Sequence, residues 1–152
     1  MNNEEQLHEI CNFMSQERVL TLSAAAEGEV WSASCFYHFQ KDEMAVYVMS
    51  DINTRHAKLM LKAPGVSGTI IASDTSMVHL KGIQYQARVS LLSSEQETAA
   101  RARYYQRYPF SRIMALPIWY LKLIEIKYTQ SRAGIKRHMH WACLHMPQEV
   151  SR

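Results

Sequence analysis

The sequence predicts a β-rich α+β fold, a mainly antiparallel barrel of about six strands with short flanking helices. Two observations predict it. Five or six strand-like runs follow one another in hairpin-like succession, two of them long, and helical patterns fall only at some connections, whereas a βαβ sheet needs one at each. At 152 residues, 47% hydrophobic and 20% charged, with no low-complexity tract, the chain supports one domain over 1–152 with a real core.

Residues 4–15 carry Leu7, Ile10, Cys11 and Met14 at helical spacing with carboxylates in the first turn, which predicts an amphipathic leading helix within 1–16. Residues 18–25 and 30–39 are rich in strand formers and flank Glu27-Gly28, a tight hairpin turn. In the second run Trp31, Ala33, Cys35, Tyr37 and Phe39 point one way and Val30, Ser32, Ser34, Phe36 and His38 the other. Both faces read as partly covered, so a second copy of the chain is expected against one of them. Residues 44–50 form a third strand after the polar turn 40–43, and Asn53 or Thr54 caps a helix that packs Leu59, Met60 and Leu61 onto one side and stops at Pro64.

A fourth strand covers 66–72. Residues 78–92 form a long strand interrupted by Gly82, where a bulge or a close backbone approach is expected. Ser93-Ser94-Glu95-Gln96-Glu97 reads as an N-cap with first-turn carboxylates, which opens the longest helix, 95–107, ending near Tyr108-Pro109, and 110–115 can take a short helical turn. The last long strand, 117–130, puts Ile118, Tyr120, Ile124 and Ile126 on one side and Trp119, Leu121 and Leu123 on the other. Residues 131–152 specify little.

Charge and motifs exclude several function classes. The net charge is only +3, and Arg101, Arg103, Arg107 and Arg112, interleaved with Tyr104, Tyr105 and Tyr108, read as a helix face whose stems cover apolar surface while the heads stay wet. No nucleic-acid partner is expected. No apolar run approaches the ~20 residues that span a bilayer, and the acidic start carries no export pattern. The three cysteines, Cys11, Cys35 and Cys143, suit reduced thiols, so no membrane partner and a cytoplasmic location are expected. Neither paired carboxylates nor glycine-rich phosphate or nucleophile motifs are present, which leaves hydrolase and kinase readings without support.

One local feature points to a ligand. The helix after the third strand opens with Arg55, His56 and Lys58, where the macrodipole favours carboxylates. Either these cations point into solvent at a cost of a few tenths of a kcal/mol, or an anion such as phosphate sits on the free first-turn amides and turns the cost into charge-assisted bonds.

The strings Trp31-Ser32-Ala33-Ser34-Cys35-Phe36-Tyr37, Val46-Tyr47-Val48-Met49-Ser50 to Thr54-Arg55-His56, Leu80-Lys81-Gly82-Ile83-Gln84, and Tyr108-Pro109-Phe110 to Ala115-Leu116-Pro117-Ile118-Trp119 resemble the pyridoxamine 5′-phosphate oxidase-like, FMN-binding split barrels, and within them small uncharacterised bacterial members. The resemblance covers residues 5 to 130. It implies a dimeric antiparallel split β-barrel with FMN at the interface. Thr54, Arg55 and His56 stand where the family has a Ser-Arg-Lys-like triplet on the flavin phosphate; His56 in place of lysine makes phosphate affinity depend on pH, and Lys58 is placed to supply the missing charge. The resemblance also implies that Ser34, Cys35 and Phe36 line the isoalloxazine and that Ser50 lies near the phosphate or ribityl chain. Trp119 is a candidate to stack on the partner's flavin, and otherwise a core tryptophan.

The implied function is FMN binding, with flavin-dependent oxidoreductase chemistry on an unnamed substrate. The alternatives are a non-catalytic module for haem, a metal or another small phosphorylated ligand, or an interaction dimer with a decayed cofactor site. Some split-barrel relatives bind haem, and His138, His140, Cys143 and His145 put three imidazoles and a thiol in the tail, although their spacing fits no finger motif and a polar, metal-free end is the simpler reading.

Overall fold

Thr21, Leu22, Ser23 and Ala24 make ladder bonds on both edges, to Ser34, Ala33, Ser32 and Trp31 on one side and to Thr69, Gly68, Ser67 and Val66 on the other. The strand they belong to, β1, is therefore interior to a sheet that closes on itself. In the computed structural model, which describes residues 1–143, the elements run α1 (Asn3–Gln16), β1 (Val19–Ala26), β2 (Glu29–Gln40), β3 (Ala45–Met49), α2 (Arg55–Lys62), β4 (Gly65–Ile71), β5 (His79–Ser90), α3 (Ser94–Arg107), β6 (Ile118–Arg132) and β7 (Ile135–Ala142), with short 3-10 turns at Lys41–Glu43 and Pro109–Ile113. All pairings are antiparallel, in the order β3-β2-β1-β4-β5-β6-β7, and β3 also pairs with β6. Six strands thus close the barrel, as the sequence predicts, and a seventh, β7, is added along the second half of β6.

Turn chemistry fixes the hairpins. Glu27 and Gly28 (φ 53° and 78°) join β1 to β2, and Ala133 and Gly134 (φ 51° and 82°) join β6 to β7; both are two-residue loops with two left-handed residues, the geometry that matches strand twist. Gly68 on β4 is required for a different reason. The Tyr85 hydroxyl crosses it to donate to the Thr21 carbonyl at 2.6 Å, and any Cβ would collide with both. Gly82 keeps regular pairing, and its expected close approach is mild, a Cβ meeting the Ile70 carbonyl at 3.3 Å.

The bulge lies elsewhere. Gln86 faces Glu125 and Ala87 faces Leu123, so Ile124 is an extra residue on β6. It reverses the inward phase of the strand: Trp119, Leu121 and Leu123 are buried before it, and Ile126 and Tyr128 after it. The expectation that Ile126 shares a face with Ile118 and Tyr120 is corrected on this account.

The barrel interior merges with the buried face of α1, whose Ile10, Cys11, Phe13 and Met14 join Leu20, Leu22, Tyr37, Val46, Val48, Leu121 and Ile126 in one core. The Phe13 and Tyr128 rings are 4.7 Å apart, and the buried Tyr37 hydroxyl donates to the Met14 carbonyl at 2.7 Å. A second cluster forms outside the barrel, where α3 lays Ala100 and Tyr104 on Tyr47 and Ile118. Part of the two-sided apolarity that suggested a partner chain is therefore covered by the chain's own helix. Val30, Trp31 and Phe36 remain exposed. On α2, Leu59 and Met60 are buried but Leu61 is 51% exposed, a correction to the expected three-residue face that follows from the 100° step between neighbours.

Candidate functional site

The polypeptide leaves β3 through Ser50 and turns into α2 by local hydrogen bonding. The Asp51 side chain accepts from the Asn53 amide at 2.9 Å, and its carbonyl accepts from both the amide and the hydroxyl of Thr54. Thr54 is the N-cap, accepting from the Ala57 amide. Ser50 is tied on three sides: its amide donates to the Pro117 carbonyl, its carbonyl accepts from the Trp119 indole at 3.0 Å, and its hydroxyl lies 2.6 Å from His56 Nε2. Trp119 is 1% exposed and lies in the core beneath the turn, so its observed role is to hold Ser50. His56 is also buried, 3.3 Å from the Thr54 hydroxyl, and burial lowers its pKa from the usual imidazole value, favouring the neutral ring.

This turn forms one wall of a cavity of about 670 Å³, within the size range of small-molecule sites. Ser34, Cys35 and Phe36 of β2 form a second wall, and Tyr104, Arg107 and Tyr108 from the end of α3, with Phe110 and Met114, form the third. Six of the nine residues singled out in the sequence, Ser34, Cys35, Phe36, Ser50, Thr54 and His56, thus line one space. Cys35 offers no nucleophile, since burial pushes its thiol up to about 11. The lining is mostly apolar; Ser50, Asp51, Thr54 and His56 stand at the α2 end, Tyr104, Arg107, Tyr108 and Ser111 at the α3 end, and Arg18 also lines the space. Such a space can hold a flat aromatic body with polar groups directed to its ends.

The other three predicted residues lie outside the lining. Trp119 is beneath it, and Lys58 is exposed on α2. Arg55 turns to the β1–β2 hairpin, where its Nε donates to Glu29 Oε1 at 2.6 Å, a second guanidinium nitrogen meets the same oxygen, and the guanidinium carbon sits 4.1 Å over the Trp31 ring. Lys62 pairs with Glu27 of the same hairpin at 3.3 Å. The carboxylate that α2 lacks in its own first turn thus comes from this hairpin as Glu29, and Glu27 pairs with the last turn.

The α3 wall was missed by sequence reasoning. Arg107 donates to the Glu17 carbonyl at 2.9 Å and to the Tyr108 hydroxyl at 3.0 Å, and the Tyr108 hydroxyl in turn bonds the Tyr37 carbonyl. Tyr104 donates to the Phe36 carbonyl at 3.0 Å. The signal was present in the Tyr/Arg interleaving of 101–112, of which Tyr104 and Tyr108 aim at β2 backbone while Arg101 bonds Glu97, Tyr105 and the Leu116 carbonyl. In the tail, His138 bonds Thr129 and His140 bonds Glu125, both on exposed strand surface, and His145 lies outside the described residues. Among the described residues no group of three or more His, Cys, Asp or Glu is placed to hold a metal, and no helix is long and apolar enough to cross a membrane.

No family model matches the chain. A UPF0306 protein of Yersinia pseudotuberculosis serotype O:3 (strain YPIII) is 42% identical over 142 residues, covering 93% of this chain and 97% of that protein. The chain belongs to the UPF0306 family. The solved structures similar to this UPF0306 member include a haem binding protein from Mycobacterium smegmatis (TM-score 0.73, 15% identity, 93% of this chain and 58% of that one) and a FAD-binding protein from Mesorhizobium loti (TM-score 0.69, 12% identity, 82% and 94%). A Listeria innocua protein provisionally assigned as a pyridoxamine 5′-phosphate oxidase gives a TM-score of 0.64 at 12% identity over 84% and 98%. At these identities the likeness is one of fold: the chain shares the split-barrel architecture of these structures.

Proposed function

We propose that this chain binds FMN in the cavity between β2, the β3–α2 turn and the end of α3, as a flavin-dependent oxidoreductase of unnamed substrate. The observation that carries the reading is the convergence of Ser34, Cys35 and Phe36 with Ser50, Thr54 and His56 on one mostly apolar space beside the start of a helix. Phe36 and Tyr108, with ring centroids 5.5 Å apart, offer aromatic surface to a planar ring system. The Ser50 and Thr54 hydroxyls and the neutral His56 ring offer hydrogen bonds to the polar end. When bound, the flavin supplies the redox chemistry, and the protein's share is orientation, exclusion of water and hydrogen bonding. No catalytic acid is assigned.

Flavin titration tests this. Protein added to FMN should quench the free flavin's fluorescence and shift its absorption bands, with saturation at one flavin per chain; an unchanged FMN spectrum at excess protein refutes the reading. The second reading, haem, is favoured by the apolar lining with Arg18 and Arg107 among its residues, a composition that also suits a porphyrin and its carboxylates. It requires a Soret shift on adding haemin. We further infer a homodimer, supported by exposed Val30, Trp31, Phe36, Phe110, Ile113 and Met114, and sedimentation measurements should give twice the chain mass.

A further inference from the structure

Arg55 is flanked in sequence by two residues that face the cavity, Thr54 and His56, yet its guanidinium is held on the opposite side of the turn. Two groups from the first residues of β2 hold it there: Glu29 Oε1 accepts from two of its nitrogens, and the guanidinium carbon sits over the Trp31 ring. Nothing in the first turn of α2 competes, since that turn contains no carboxylate. Resting on the flavin reading above, we propose that Glu29 is the residue that sets the site's preference for a phosphorylated over an unphosphorylated flavin, by acting as an exchangeable counter-ion for Arg55.

The physical basis is competition for one guanidinium. A carboxylate and a phosphate present the same pair of oxygens to an arginine fork, and the phosphate carries more charge. Both side chains of the Arg55–Glu29 pair are about half exposed, so solvent screens the pair and leaves it exchangeable. Trp31 keeps the guanidinium plane supported while Glu29 binds, which lowers the chance that Arg55 strays into bulk water. The cost of taking Arg55 from Glu29 is charged to any phosphate ligand and not to riboflavin, so the ratio of the two affinities measures it.

The test compares wild type, Glu29→Gln and Arg55→Gln by titration with FMN and with riboflavin, followed by flavin fluorescence. Glu29→Gln should bind FMN about fivefold more tightly, equivalent to about 1 kcal/mol, with riboflavin affinity unchanged. Arg55→Gln should bring the FMN-to-riboflavin ratio close to one. A ratio in Glu29→Gln equal to that of wild type overturns the proposal. A second arm works without flavin: inorganic phosphate is titrated while Trp31 emission is read as the difference from Trp31→Phe protein. Half-saturation should come at about fivefold lower phosphate in Glu29→Gln than in wild type, and identical curves, including two flat ones, overturn the exchange. If neither flavin binds but the phosphate curves separate, the FMN reading and the flavin preference both fail, and only Glu29 as an exchangeable counter-ion of Arg55 stands.

Discussion

His56 lies buried against Ser50 and Thr54, with its Nε2 2.6 Å from a hydroxyl that is itself buried, whereas His138 and His140 stand on the exposed face of β7 with Thr129 and Glu125 as partners. All three are imidazoles on or next to regular elements, and the tail has more of them within a few residues. The difference teaches that a ligand site needs walls more than it needs donors. At the β3–α2 turn, Trp119 and Pro117 fix Ser50, Thr54 caps the helix, and β2 and α3 enclose the space in front. On β7 the two rings lie on an exposed face, each bonded to a side chain of the neighbouring strand β6.

The largest expected effect that sharpens this contrast is at Trp119. Replacing it by alanine should cost about 3–5 kcal/mol in urea unfolding, from cavity formation plus loss of the bond to Ser50. Trp119→Phe should retain much of the packing and still weaken FMN binding, because the Ser50 carbonyl then loses its donor. Next comes His56→Ala, which leaves the Ser50 hydroxyl without its imidazole and should cost about 1–3 kcal/mol in the same assay, together with weaker flavin binding.

A smaller effect is in pH. Burial lowers the pKa of both His56 and His38, the latter with a buried Nδ1 that finds no hydrogen-bond partner among the described residues. The unfolded chain binds protons at these positions near pH 6.5, where the folded chain does not, so stability should fall as pH drops below about 6.5 and level off once the folded values are passed. Urea midpoints between pH 7.5 and 5 would show it (roughly the histidine range), and His56→Gln should flatten part of the slope. Smallest is the tail: His138→Ala and His140→Ala should each change stability by less than about 0.5 kcal/mol and leave FMN affinity unaltered. A loss of flavin binding in either would break the contrast.

Much of the barrel was legible because its punctuation is local. Glu27-Gly28, Pro64, Ser93 and Pro109 each act within a few residues, and the structure uses them where the letters suggest. Three features were not legible, each for a physical reason. The phase change at Ile124 is hidden because Leu123 and Ile124 are both apolar, so alternation shows no break. Strand β7 alternates charged and polar residues on an exposed face, and its hairpin signal, Ala133-Gly134, is weaker than an Asn-Gly pair. The partner of Arg55 is Glu29, 26 positions earlier in the sequence, and only the folded hairpin brings it to α2. The same distance problem hid the α3 wall, whose tyrosines and arginine reach backbone carbonyls 68 to 90 positions away.

The extra residue at Ile124 has a consequence for how this gene can vary. Exchanging its side chain should be tolerated, because the position is only partly enclosed. Losing its codon should be tolerated too, because Leu123, Ile126 and Tyr128 then fall at alternate positions of an unbroken strand and stay inward, with Glu125 and Lys127 outward. In-frame deletions among natural variants should therefore be permissible at this codon, as in the β4–β5 connection where Thr75, Ser76 and Met77 are exposed, and should avoid Lys127, whose loss would turn Tyr128 to solvent and Thr129 inward.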